Sequence, residues 1–143
     1  MSDTQEPANN LHFALVVEGV DNLRHSIVTW LREYGWLVHG ATRAEEALGI
    51  LPHIPYNLIV LDSELPGIGG MDFVRIMQHS REWRAIQLVV MVEIVGVDLA
   101  SEVAECGAFL ARRSRWKDDL SGFLTTHSGS PGITNSEAVA ELT

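Results

Sequence analysis

Leu58-Ile59-Val60-Leu61-Asp62-Ser63-Glu64-Leu65-Pro66-Gly67 is the stretch around which this chain arranges itself. Four apolar residues end on a carboxylate, and a Pro-Gly pair, a loop signal, follows. A short apolar run bounded by turn residues suits a strand buried on both faces, as in a parallel sheet. Asp62 then falls at the carboxyl edge of that sheet, where open α/β folds bind their ligands. Taken alone, Asp62 reads better as a cap for a loop or for the next helix. The rest of the chain shifts that reading.

Upstream, Phe13-Ala14-Leu15-Val16-Val17 is a second buried-strand candidate, ending in Glu18-Gly19. Asp21 or Asn22 can cap a helix whose Leu23, Ile27, Trp30 and Leu31 share one face, and Gly35 stops it. Trp36 to His39 reads as a strand. Thr42 begins a helix through Ala44, Ala47, Leu48 and Leu51, which Pro52 and Pro55 break. Downstream, Gly69-Gly70 opens a helix carrying Phe73, Val74 and Met77, and Ile86 to Val92 is a fourth strand. Asp98 caps a helix with Leu99, Val103 and Cys106 on one face, ended by Gly107. Ala108 to Ala111 is the fifth strand, and Ser114 can cap a last helix with Trp116, Leu120, Phe123 and Leu124 in register. The order is (βα) five times over. Such alternation predicts an α/β fold with a parallel sheet covered on both faces and right-handed crossovers.

At 143 residues the chain has room for one domain and tails. The reading is a polar, disordered arm over residues 1–10, a domain over 11–125, and a flexible tail over 126–143 that contains Ser128-Gly129-Ser130-Pro131-Gly132. A single cysteine, Cys106, excludes a disulfide framework and a Cys-based zinc site. No segment is long and apolar enough to span a membrane, so a soluble, cytoplasmic protein is expected. The net charge of −9 argues against direct nucleic-acid binding by this domain, since phosphate backbones need a basic face. Acidic residues also suit a divalent-cation site, although a solvated acidic surface is the commoner reason for them.

Together these residues resemble a receiver domain of bacterial two-component response regulators. The carrying pieces are Val16-Val17-Glu18, Leu61-Asp62-Ser63-Glu64-Leu65-Pro66-Gly67 with Gly70 after it, and Gly107-Ala108-Phe109-Leu110. The resemblance implies a flavodoxin-like doubly wound sheet of strand order 2-1-3-4-5, which sets Glu18 and Asp62 on neighbouring strand ends. It implies that Asp62 is the phosphoacceptor for a phosphohistidine on a kinase. It also implies a Mg²⁺ held by acids after the first strand, by Asp62 and by the carbonyl of Glu64. The physical need is clear, because a carboxylate attacks phosphorus only when charge on the phosphoryl oxygens is neutralised.

The chain departs from the family pattern at three points. Gly19 replaces the second acid, normally a direct metal ligand. Val92 stands where a Thr or Ser hydroxyl would bond the phosphate, and it cannot donate. Arg112 stands at the lysine position, three residues after Phe109, which occupies the aromatic switch position; Arg113 replaces the proline that follows. Arginine and lysine are not interchangeable at such a site.

Two readings follow, a working phosphoacceptor and an atypical receiver acting through protein contacts. The three losses together favour the second, with impaired phosphorylation of Asp62. They also predict weak or absent Mg²⁺ binding to Glu18, Asp62 and Glu64. Arg112 is expected to enter the pocket and pair with Asp62 or Glu18, in place of both metal and lysine, the rival being a swing to solvent beside Arg113. Expected partners are a histidine kinase or another signalling protein, or a second copy, docking through Leu99, Arg113, Arg115 and Trp116.

Overall fold

The structure is a computed structural model, and it describes residues 11–126. The arm over residues 1–10 and nearly all of the tail lie outside the described residues. Strand β1 (Phe13–Val17) leads to helix α1 (Asp21–Glu33), and β2 (Leu37–Ala41) to α2 (Ala44–Ile50). A turn of 3-10 helix, Leu51–His53, precedes β3 (Leu58–Asp62), followed by α3 (Gly70–Gln78), β4 (Gln87–Val92) and α4 (Val97–Glu105). The last unit is β5 (Phe109–Arg112), a second 3-10 turn over Arg113–Arg115, and α5 (Trp116–Thr126).

All strand pairs are parallel, in the order β2-β1-β3-β4-β5. The sheet is thus the flavodoxin-like one that the resemblance implies. Side chains alternate across each strand, and the two faces build two cores. Leu15, Val17, Ile59, Leu61, Val90 and Val92 face α2, α3 and α4, where Ala47, Phe73, Met77 and Val103 cover them. Ala14, Val16, Leu58, Val60, Val89 and Met91 face α1 and α5, under Ile27, Leu31, Leu120, Phe123 and Leu124. Strands buried on both faces explain why β1, β3 and β4 read as unbroken apolar runs.

Element boundaries differ from the sequence reading where side chains do not cap as expected. Thr42 lies outside α2; its N–H and hydroxyl both donate to Glu46 of the first turn, at 2.9 and 3.1 Å. Asp98 sits inside the first turn of α4, after Gly96 at the cap position. There its charge favours the positive end of the helix dipole. Asp21 begins α1 and pairs with Arg24 at 2.7 Å. Ser114 falls within a 3-10 turn, so α5 starts at Trp116, and it continues to Thr126.

Two glycines shape the loop beyond Asp62. Gly67 has φ +73°, the left-handed turn conformation that costs glycine nothing. Gly70 lies so close to the backbone of Asp62 and Ser63 that a Cβ there would overlap it. This contact seats the start of α3 directly on the end of β3.

Candidate functional site

The carboxyl ends of β1, β3, β4 and β5 converge on a set of charged side chains. Glu18 follows β1 and is fully buried, while Asp62 ends β3 and is 7% exposed; they are the only buried charged residues among those described. A buried carboxylate must be paired or bonded. Glu18 meets this need with one oxygen. Its Oε2 accepts the Val20 N–H at 2.9 Å and a guanidinium N–H of Arg113 at 2.8 Å. Its Oε1 is buried without a hydrogen-bond partner. Asp62 Oδ1 accepts the Glu64 N–H at 3.1 Å, and its Oδ2 lies 3.8 Å from Arg113 Nε.

Arg113 is the hub. It also donates to Glu93 Oε1 at 3.1 Å, at the start of the loop after β4. One guanidinium therefore gathers acids from the ends of three strands. The hydrogen bond that Arg113 donates to Glu18 is the main reason its pKa lies above the usual guanidinium value, against the opposing effect of burial.

Arg112 is not in this pocket, which corrects the sequence expectation. Its guanidinium forms a two-pronged contact with Asp119, Nε to Oδ2 at 3.0 Å and a terminal nitrogen to Oδ1 at 2.8 Å. The Arg112 backbone N–H donates to the same Oδ2 at 2.8 Å. Asp119 lies in the first turn of α5, so it captures the residue that ends β5. Arg113, the first residue of the 3-10 turn that follows, is the one whose guanidinium reaches Glu18. Arg113, expected on an interface, is thus the pocket cation. The rival expectation is the nearer one: Arg112 lies on the solvent side with its side chain half-exposed, where Asp119 holds it.

The other expected residues fall as follows. Gly19 is exposed beside Glu18, and a Cβ built on it would lie an ordinary 3.6 Å from the Thr42 carbonyl. Val92 is 1% exposed and packs in the core as an aliphatic side chain. Phe109 is half-buried at the far end of β5, its ring centroid 5.1 Å from that of Phe123. Glu64 is exposed. Leu99 packs partly against the first core, Arg115 pairs with Asp118 at 2.7 Å, and Trp116 sits edge-on to Trp30 at 5.7 Å. Arg24 went unremarked in the sequence; it donates to the Glu18 carbonyl at 2.9 Å and so braces the loop after β1.

The family's Mg²⁺ can be tested against these donors. Hard cations need several oxygen ligands in good geometry. Here Gly19 supplies no carboxylate, and a guanidinium already bonds Glu18 and neighbours Asp62. Among the described residues no group of three or more His, Cys, Asp or Glu could hold a metal. The donor set does not fit the cation.

The response regulator receiver domain family matches residues 14–111. Two-component response regulator PhoP of Pseudomonas aeruginosa is 43% identical over 61 residues, covering 43% of this chain and 27% of PhoP. Regulatory protein AtoC of Escherichia coli is 28% identical over 95 residues, covering 66% of this chain and 20% of AtoC. The chain thus spans about a quarter or less of the length of these curated relatives. A receiver protein from Pseudomonas putida superposes with a TM-score of 0.65 at 25% identity, covering 70% of this chain and 83% of that one. Chemotaxis protein CheY4 of Vibrio cholerae superposes with a TM-score of 0.74 over 81% of this chain and 98% of its own, and at 18% identity it speaks for the fold alone. With the family matched across most of the domain, on the sheet order and strand-end acids described above, the chain belongs to the response regulator receiver domains of two-component signalling.

Proposed function

We propose that this receiver acts as an atypical module that relays signals through protein contacts, with phosphorylation of Asp62 impaired. The observation that carries the reading is the Arg113–Glu18 pair, which commits the main buried acid of the pocket to an internal cation. Two further features support it. Val92 offers no hydroxyl for a phosphoryl oxygen, and Gly19 no second carboxylate. Receiver domains generally signal rather than catalyse, and the partner is a histidine kinase or another signalling protein.

Contact is assigned to the face of α4, β5 and α5, with Leu99, Arg115 and Trp116. The loop entering α4 adds Ile94, 82% exposed, and the helix's first residue adds Val97, 83% exposed. A homodimer through this face would be isologous. Trp116→Ala combined with Arg115→Glu should then lower the mass seen by solution scattering, and an unchanged mass would remove the face from consideration.

The chemical test uses acetyl phosphate with Mg²⁺ and intact mass spectrometry. No phosphoryl gain is expected. A gain that vanishes in Asp62→Ala would establish the other reading, a working phosphoacceptor. What favours that reading is that Asp62 keeps its strand-end place, with one oxygen fixed by the Glu64 N–H.

A further inference from the structure

We infer that a trough along the amino edge of the sheet, opposite Asp62, is a docking site for the chain's own residues 133–142. Three adjoining cavities make the trough. The first, about 420 Å³, is lined by Trp36, Tyr56 and Ile86 among others, and the second, about 340 Å³, by Ile54, Trp83 and again Tyr56 and Ile86. A third, about 140 Å³, shares Gln87 with the first and adds Phe123. Segments that precede β2, β3 and β4 build this surface, so it lies a strand's length away from the acids at the carboxyl edge. Its walls are aromatic and aliphatic with a few polar groups, the usual make-up of a binding site. Trp36 is 4% exposed and its indole N–H has no acceptor, so the domain leaves one donor of this wall unused.

Charge and the path of the chain choose the occupant. Arg81 and Arg84 stand exposed on the loop that borders the first two cavities. Among the described residues neither pairs with a carboxylate, whereas Arg24, Arg75, Arg112, Arg113 and Arg115 all do. They outnumber Glu82 between them, so the loop is net positive on a chain whose net charge is −9. Such a surface suits an acidic partner. Residues 127–143 carry Glu137 and Glu141 with no lysine or arginine, and they include the apolar Ile133, Val139 and Leu142. In a parallel sheet each helix returns the chain to the amino edge, so α5 ends beside the trough: Phe123, near the end of α5 at Thr126, lines the third cavity. Residues 127–132 span about 20 Å when extended, and neighbouring strands lie about 4.8 Å apart. Residue 133 can therefore start beneath the middle of the sheet, which brings the two glutamates within reach of the two arginines. A short tether gives an effective concentration on the order of millimolar, so weak contacts suffice.

A nitroxide on the tail of the full chain reads the contact. Ser136→Cys carries the label, with Cys106→Ser so that it is the sole thiol, and the reduced label is the reference. Paramagnetic broadening is expected at the amides of Trp83 and Ile86 and at the Trp36 indole, unchanged on dilution. Arg81→Glu with Arg84→Glu should remove it, and adding Glu137→Arg with Glu141→Arg should restore it. Val139→Asp with Leu142→Asp should also remove it, and these substitutions leave the domain untouched should the arginine variants fold poorly. Broadening confined to the end of α5 would overturn the inference and leave the trough to a separate acidic partner. Broadening that fades on dilution would assign the trough to the tail of a second copy instead. Broadening at Trp83 and Ile86 that survives both the charge reversal and the two aspartates would show mere proximity of the tail, and the docking site would fall.

Discussion

Arg113 and Glu18 lie 95 residues apart in the chain and meet at 2.8 Å, where a guanidinium caps a carboxylate that has no exposure to solvent. Removing one partner of such a pair leaves the other charge buried and uncompensated. Arg113→Ala is therefore expected to cost about 2–4 kcal/mol in urea unfolding. Because the loss comes from a stranded charge, Glu18→Gln should recover part of it. A double-mutant cycle that proves additive would separate the two residues energetically.

Arg112 and Asp119 make a different kind of pair, on the surface side of β5. The Arg112 hydrogen bond holds the Asp119 carboxyl below its ordinary value of 3.8, against a smaller opposing effect of burial. A depressed carboxylate contributes stability that is fully present above the unfolded-state value and is lost as pH falls through the folded-state one. Wild type should thus exceed Asp119→Asn in stability at neutral pH, and the gap should close as pH drops below the ordinary carboxylate range. Urea midpoints collected along a pH series check this. A gap that stays constant would show that the charge of Asp119 contributes nothing to stability.

Strands β1, β3 and β4 were legible because each is an apolar run walled in by two helical layers. That pattern survives in sequence without knowledge of the partners. Helix starts were less legible: α1 through α4 have no side-chain cap bonded to their first turn, so the Thr42 and Asp98 signals pointed a residue or two away. The pocket cation was displaced by one residue for a similar reason. Counting from Phe109 reaches Arg112, but Asp119, seven positions on, takes Arg112 by its backbone and its side chain together. Only the turn into α5 makes that capture possible.

Gly70 offers a test of how the Asp62 loop is seated. A methyl group there would overlap the backbone of Asp62 and Ser63, neither of which is a flexible side-chain end that could give way. Gly70→Ala should cost about 1–3 kcal/mol, as overpacking does in tight cores, despite the better helix propensity of alanine. Thermal melting decides it. Gly49→Ala serves as the control, since a Cβ there meets nothing within 4 Å and should leave stability unchanged or raised.

Val92→Thr separates the missing hydroxyl from the resident arginine. The substitution keeps the β-branched shape, so β4 should accept it without a change of backbone. Val92 is 1% exposed and packs with Leu61 and Val90 in the first core, so the hydroxyl enters an apolar setting. A buried hydroxyl without a good partner costs about 1–3 kcal/mol, and a loss in the lower part of that range is expected because the pocket edge is near. Were the hydroxyl the only missing element, Val92→Thr would gain a phosphoryl group from acetyl phosphate and Mg²⁺. With Arg113 still bonded to Glu18, no gain is expected in intact mass. Adding Arg113→Ala and Gly19→Asp supplies the charge change and the second carboxylate, and the space beside Gly19 admits a side chain. Any phosphoryl gain should first appear in that triple variant and vanish with Asp62→Ala. A gain in Val92→Thr alone would show that the guanidinium yields to the phosphodonor, and that its hold on Glu18 is too weak to keep the pocket closed.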